Sequence, residues 1–369
     1  MMQFTSILSL AIAAIPVSCA QLRHLQSDVS VNMTPQDAID AARKEIIKII
    51  DFDKPLGYKF VRLGFHDCVG GCDGCVDLLN PDNKGLEVAI TVLEPIVAEF
   101  AVNGVTRPDI WTLAALTYAD RHQGRPRIAF PFKWYGRPTC ETLYTVCRNV
   151  TEEEVPCSAT QGPHRALPSS NLDTHGILDY FDKTFGLDAQ ETVALMGAHT
   201  LGKVQRTNSG FVGDGWDSDP SLLDNAYFTG LVGGNSTNDT LANLVNGIPN
   251  WKRVLINNAD LDGSTLPNRH QWQQGNKVMF NSDISLVRDF QGRIRPNGKV
   301  RCSFTGRNAC PAALLTIRHA ALYQNNNMLW VEDFRDVFTF VLEFPYMTTG
   351  VDCTQGLCLI SDLANVSST

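Results

Sequence analysis

One eight-residue run constrains this chain most: Val61-Arg62-Leu63-Gly64-Phe65-His66-Asp67-Cys68. Read as a helix, it puts Arg62 and His66 at i and i+4 on one face, with Phe65 beside them at i+3. A fixed cation and an imidazole next to an aromatic wall can polarise a small molecule and move its proton. A second run, Ala194-Leu195-Met196-Gly197-Ala198-His199-Thr200-Leu201-Gly202-Lys203, reads as a buried helix carrying one histidine between two glycines.

The rest of the chain narrows the classes open to it. Its 369 residues are enough for one large domain or two smaller ones. The net charge of −8 argues against nucleic acid and against anionic membrane surfaces as main partners. Residues 1–20 read as a secretory signal peptide: 7–17 are apolar, too short to span a bilayer, and Ser18-Cys19-Ala20 suits cleavage before Gln21. Residues 1–6 carry no Lys or Arg. No later stretch is apolar over 18 residues, so no membrane anchor is expected.

Of 11 cysteines, Cys19 leaves with the leader, and the other ten read as up to five disulfides of open connectivity. Cys72-x-x-Cys75 also has zinc-ligand spacing, but no second such pair accompanies it. Sequons at Asn32, Asn149, Asn235, Asn238 and Asn365 are candidate glycan sites.

The periodicity predicts helices over 38–50, 87–100 with a kink at Pro95, 110–119, 172–185, 189–203, 226–232, 284–288, 313–322 and 331–344, with a turn over 51–57. Residues 121–170 read as loops and short strands, 233–282 as mostly irregular, and 291–312 as a basic, cysteine-bearing loop. The fold class is mainly α with long loops, which suits a cofactor held between helices.

The two histidine runs, as R-x-x-F-H-D followed by L-x-G-A-H-T-x-G-K, resemble the distal and proximal haem helices of the plant-type haem peroxidase superfamily. The chain looks like a secreted hybrid of the cytochrome c peroxidase and fungal secreted branches. The resemblance implies two helical lobes sandwiching haem b, joined by long disulfide-pinned loops. The domain would cover 21–345, with a distal lobe over about 34–170, a proximal lobe over 171–345 and a tail over 346–369.

On the distal side, Arg62, Phe65 and His66 match the family's arginine, aromatic and histidine. His66 would take a proton from bound H2O2 and return it to the leaving oxygen, while Arg62 stabilises the charge that develops. Asn83, in Asn83-Lys84-Gly85-Leu86, matches the asparagine that accepts the other ring N–H of the histidine. On the proximal side His199 would ligate iron, and Asp283, in Ser282-Asp283, matches the carboxylate behind it. Lys203 and Gln205 match positions near the haem propionates. Trp216 stands where cytochrome c peroxidase has Trp and secreted relatives usually have Phe.

Thr200, Asp217, Asp219, Leu222 and Asp224 match a proximal calcium loop, and Asp67, Gly71 and Asp73 a distal one. Cys75 replaces a serine ligand at the distal site. Pro55, Lys59 and Gln205 replace the acids of manganese peroxidase, Ala194 the surface tryptophan of lignin peroxidase, and Asn208 stands near the place of the ascorbate-binding arginine. The implied activity is reduction of H2O2 to water through a ferryl intermediate, with one-electron oxidation of an organic donor, phenols included, or of a protein. The alternative is an extracellular haem-binding matrix protein with little turnover. The stretches 233–279 and 293–307 are longer than in the nearest relatives.

Overall fold

Thr34 starts the first helix. Its hydroxyl accepts from the Asp37 amide at 3.2 Å, and Pro35 pre-sets the backbone behind it. The computed structural model describes residues 33–78, 80–139, 167–233, 251–261, 266–303 and 308–347, and the short strands at 147–148, 154–155 and 358–359. Helix α1 (Pro35–Phe52) buries Ala38, Ile39, Ala42, Ile46 and Ile50, one stripe at helical spacing. Asp53 alone separates it from α2 (Lys54–Gly70), so the expected turn over 51–57 shrinks to one residue. Pro55 lies in the first turn of α2, where its missing N–H is no loss.

Helices α3 (Glu87–Phe100) and α4 (Arg107–Arg121) pack with α1 and α2. The α2–α4 approach is close because Gly57 faces the Tyr118 ring; a Cβ there would come within 1.8 Å of it. The second half is built from α5 (Thr174–Phe185), α6 (Ala189–Met196), α7 (Arg206–Ser209), α8 (Ala226–Val232), α9 (Asn281–Ile284), α10 (Ile317–Asn325) and α11 (Asn327–Met347). Helix α11 joins the halves, since it packs on both α2 and α6. Trp330, Phe334, Phe338, Val341 and Leu342 line its buried side.

The architecture is mainly α, as the sequence implies, but several boundaries move. The run expected to be helical over 189–203 ends as an α-helix at Met196 and tightens into a 3-10 turn over Gly197–Thr200. Gly197 lies under the Trp330 indole, whose Nε1 donates to the Ala194 carbonyl at 3.1 Å, and a Cβ there would be 2.4 Å from that nitrogen. The helix expected over 284–288 is the four-residue α9 instead, and those expected over 313–322 and 331–344 are Ile317–Asn325 and Asn327–Met347.

The largest difference lies within 233–282. It holds an antiparallel sheet: β1 (Lys252–Ile256), β2 (Arg269–Gln274) and β3 (Lys277–Met279), with β2 in the middle. Its strands are short and its central one reads Arg-His-Gln-Trp-Gln-Gln, so no apolar alternation announces it.

Disulfides join Cys68 to Cys72 and Cys302 to Cys310, and Cys75 is also disulfide-bonded. The zinc reading of Cys72 and Cys75 is thereby excluded. Residues 1–32 and the asparagines of all five sequons lie outside the described residues. Among the described residues no helix is long and apolar enough to cross a membrane.

Candidate active site

From Phe60 to Val69 α2 is buried except at Arg62, Phe65 and His66, which share one half-buried face. The Arg62 Nη2 donates to the Asp82 carbonyl at 2.6 Å, and Nη1 to the Lys84 carbonyl at 3.2 Å. These carbonyls belong to the turn that also carries Asn83, so one loop fixes both the cation and the histidine's partner. Burial pushes the Arg62 guanidinium down to about 10, against Glu87 and Asp82, so it remains a cation at neutral pH.

His66 Nδ1 lies 2.7 Å from Asn83 Oδ1. The Asn83 Nδ2 donates to the Asp77 carbonyl at 2.9 Å, which turns the amide oxygen toward the ring. An oxygen there can only accept, so Nδ1 carries the proton and Nε2 keeps its lone pair. Burial, and then the Arg62 charge, push the imidazole down to about 3, with the Asn83 bond opposing. The ring is thus a neutral base through the ordinary pH range. Phe65 packs edge-on to it at 5.9 Å and is backed by Phe181 and Phe185.

His199 is half-buried on the 3-10 turn after α6. Its Nδ1 lies 2.6 Å from Asp283 Oδ1. Asp283 is fully buried and takes three more donors: the Tyr227 hydroxyl at 2.9 Å, Trp216 Nε1 at 3.0 Å and the Phe280 amide at 2.7 Å. Four donors suit an acceptor-only carboxylate. The Trp216 ring stacks on His199 at 4.6 Å and 28°, and Phe280 stands edge-on to both. Burial and the Asp283 charge hold the Tyr227 phenol well above its usual range, so it stays a donor.

The donor set fits haem iron. A neutral imidazole backed by a carboxylate is the usual ligand, and Asp283 leaves Nε2 of His199 for the metal. Ala198 beside it is half-buried in an otherwise buried segment, as the Arg62/Phe65/His66 face is in α2.

A comparison of the sequence with protein families decides the class. Residues 42–295 match the family model described as Peroxidase. The chain belongs to the peroxidase family. It is therefore a haem peroxidase, an oxidoreductase that uses hydrogen peroxide and an electron donor. Relatives agree. A Yarrowia lipolytica protein named "Putative cytochrome c peroxidase, mitochondrial" is 30% identical over 73% of this chain and 95% of its own length. The Oryza sativa "L-ascorbate peroxidase 1, cytosolic" is 28% identical over 54% of this chain and 74% of its own length. The Aspergillus fumigatus "Cytochrome c peroxidase, mitochondrial" is 30% identical over 53% of this peroxidase and 51% of its own length.

The structure gathers some of the expected site residues and leaves others apart. Arg62, Phe65, His66 and Asn83 form one group, and His199, Trp216 and Asp283 another. Lys203 and Gln205 are exposed, and Gln205 Oε1 accepts from the Asn208 amide at 2.8 Å. In the proximal calcium set, the Thr200 hydroxyl donates to Asp217 Oδ2 and approaches Asp224 Oδ1 at 3.4 Å. Asp219 stays beside them, its amide donating to Asp217 Oδ1 at 2.9 Å, while its carboxylate accepts from the Ser221 hydroxyl at 2.7 Å and amide at 3.0 Å and its carbonyl from the Leu222 amide at 3.1 Å.

In the distal calcium set, Asp67 is buried and accepts from the Gly74 amide at 2.8 Å, Asp73 accepts from the Cys75 amide at 3.0 Å, and Gly71 caps α2 with φ of 130°. Burial and the nearby Asp73 charge raise the Asp67 carboxyl well above its usual range. Among the described residues no group of three or more His, Cys, Asp and Glu side chains is gathered to hold a metal ion. Sequence reasoning missed Tyr227 and Phe280 as partners of Asp283. Tyr227 lies in a stretch with no motif, but Phe280 is the N-cap of the helix whose third residue is Asp283, so the carboxylate's reach back to the Phe280 amide follows from capping geometry within the same run.

Proposed function

We propose that this peroxidase is secreted and oxidises an organic donor in one-electron steps. Haem b, when bound, would supply the iron at which peroxide is reduced and the oxidising equivalents are stored. The observation that carries this reading is the Nε2 lone pair of His66, kept free by Asn83 beside a cation that Asp82 and Lys84 hold in place. His66 Nε2 takes the peroxide proton and returns it to the departing oxygen. Arg62 stabilises the negative charge that builds on that oxygen. Asn83 keeps Nδ1 protonated, so the ring never presents the wrong nitrogen. Asp283 holds the His199 ring in place with Nε2 turned outward as the ligand nitrogen. Lys203 and Gln205 would face the haem propionates.

Trp216 is proposed as the residue that passes one oxidising equivalent to a bulky or protein donor. Indole is easily oxidised, and the Asp283 carboxylate at 3.0 Å favours an indole cation over a neutral ring. The haem-loaded protein should show a tryptophan radical by electron paramagnetic resonance after one equivalent of H2O2. Trp216→Phe should abolish that signal, leave the reaction with H2O2 nearly unchanged and slow oxidation of protein donors more than of small phenols. A parent protein without a tryptophan radical would make Trp216 a packing residue.

One calcium ion is proposed at the Thr200, Asp217 and Asp224 oxygens. Burial pushes the Asp217 carboxyl up to about 7 and raises Asp224 as well. Such groups are costly when charged unless a cation faces them, and calcium takes oxygen donors of this kind. Thr200 directly follows His199, so the ion would fix the histidine's register. Chelator should lower the melting temperature of haem-loaded protein, and calcium should restore it. A melting temperature indifferent to both, with no calcium by elemental analysis, would remove this site.

Secretion rests on residues 1–20, the cysteine content and the sequons. Two relatives carry mitochondrial names, so the compartment needs its own test. Expressed from its full reading frame in a eukaryotic host, the protein should reach the medium with Gln21 at its N-terminus and lose mass on deglycosylation. Protein retained in the cell with residues 1–20 attached would refute it.

A further inference from the structure

The basic run after α9 has no part in the chemistry above. From residue 290 to residue 331 the chain carries five Arg and one Lys but no Asp or Glu, within a protein of net charge −8. The structure folds its first part into a small β-hairpin. Ile294 and Val300 form the antiparallel bridge; the Arg295 amide donates to the Lys299 carbonyl at 2.9 Å, and the Arg301 amide to the Arg293 carbonyl at 3.1 Å. Side chains alternate along a strand, so Ile294 and Val300 face one way and Arg293, Arg295, Lys299 and Arg301 all face the other. Val300 is buried, and Arg295, Lys299 and Arg301 are exposed. Arg293 stands opposite Arg301, and Arg295 opposite Lys299.

Like charges set directly across a ladder repel, and the arrangement puts two such pairs side by side. Among the described residues none of the four has an ion-pair partner. Two acids are engaged at the hairpin's root: Asp173 accepts from the Gly292 amide at 2.8 Å and Asp289 from the Gln291 amide at 2.8 Å.

The hairpin is also held rigid. Its turn runs Arg295-Pro296-Asn297-Gly298, closed by the Gly298 amide donating to the Arg295 carbonyl at 2.8 Å, with Gly298 at φ of 78°. Asn281 Nδ2 donates to the Gly298 carbonyl at 2.8 Å, the Arg253 guanidinium donates to the Val300 carbonyl, and Cys302–Cys310 closes the base. Arg253 and Lys299 lie near enough to His270 to push its imidazole down, after burial, which extends the positive field onto the edge of the sheet.

We propose that the outer face of hairpin 293–301 is a docking surface for a linear anionic polysaccharide. The four cations form an array of roughly 5 Å across the strands and 7 Å along them. Three of the four are arginines, whose forks suit the paired oxygens of uronate or sulfate groups. Among the described residues the hairpin face has no exposed aromatic ring for stacking bases, and no exposed apolar side chain for entering a bilayer. A double-stranded nucleic acid or an anionic vesicle would also meet the repulsion of the whole acidic protein, whereas a single sugar chain touches the hairpin locally.

Binding of polygalacturonate to the full-length, haem-loaded protein would be measured by calorimetry, with neutral dextran as the control. Affinity should fall about tenfold or more between 50 and 200 mM salt, as counterion release from four contacts requires. A variant carrying Arg293→Gln, Arg295→Gln, Lys299→Gln and Arg301→Gln should lose at least tenfold in affinity at 50 mM salt, with unchanged peroxide consumption and melting temperature. A charge-matched control carrying Lys44→Gln, Lys48→Gln, Lys54→Gln and Lys133→Gln should bind like the parent. If the hairpin variant misfolds, Arg295→Gln with Lys299→Gln alone should still cost severalfold. The proposal falls if the hairpin variant binds like the parent, if the control loses as much, or if duplex DNA or anionic vesicles bind more tightly than the polysaccharide. Peroxide consumption reports on the catalytic reading independently, so the two can fail separately.

Discussion

His66→Leu should slow the reaction of the haem-loaded enzyme with H2O2 by about 10²–10⁴-fold, the usual contribution of a positioned acid–base group. Leucine keeps the volume and the wall against Phe65 but removes the only nitrogen that Asn83 leaves free to accept. Rapid mixing with one equivalent of peroxide is the measurement, and a variant as fast as the parent would mean that His66 is not the base. The parent's own pH dependence carries the same information. With its pKa pushed down to about 3, His66 keeps its lone pair through mildly acid solution, so this group should not reduce the peroxide reaction until pH nears 3.

Stability runs the other way. Between the ordinary 6.5 and about 3 the unfolded chain binds a proton at His66 that the folded one does not, so falling pH through that window favours unfolding. His66→Leu should therefore lose less stability than the parent on acidification.

Asp283→Ala should be the most damaging single change to the proximal side. It leaves His199, Tyr227, Trp216 and the Phe280 amide facing an apolar gap, and cutting a buried network of this kind costs about 3–5 kcal/mol. Urea unfolding measures it, and a loss near zero would mean that the four donors find water instead. Asp283→Asn separates charge from shape. It keeps the volume but removes the negative charge behind His199, so the midpoint potential of the bound haem should rise. An unchanged potential in Asp283→Asn would show that His199 does not feel the carboxylate.

Local sequence alone sets the α2 helix and the three side chains on its open face. Arg62, Phe65 and His66 fall at helical spacing in an apolar run, a local pattern that needs no knowledge of the fold. The start of α1 at Thr34-Pro35 is equally local. Tertiary structure decided the rest. Asp283 gains its meaning from donors on four separate segments, reached only when α8, α9 and the turns at Gly197–Thr200 and Trp216 converge. The 3-10 turn that presents His199 begins at Gly197, where Trp330, distant in sequence, lies so close that no side chain fits. The sheet over 252–279 was invisible because its strands are short and polar, and packing against the 293–301 hairpin overrides their weak propensity. The same packing turned a basic loop, legible only as composition, into four cations on one face. Chain order records which charges are present, and only strand register decides which way they point.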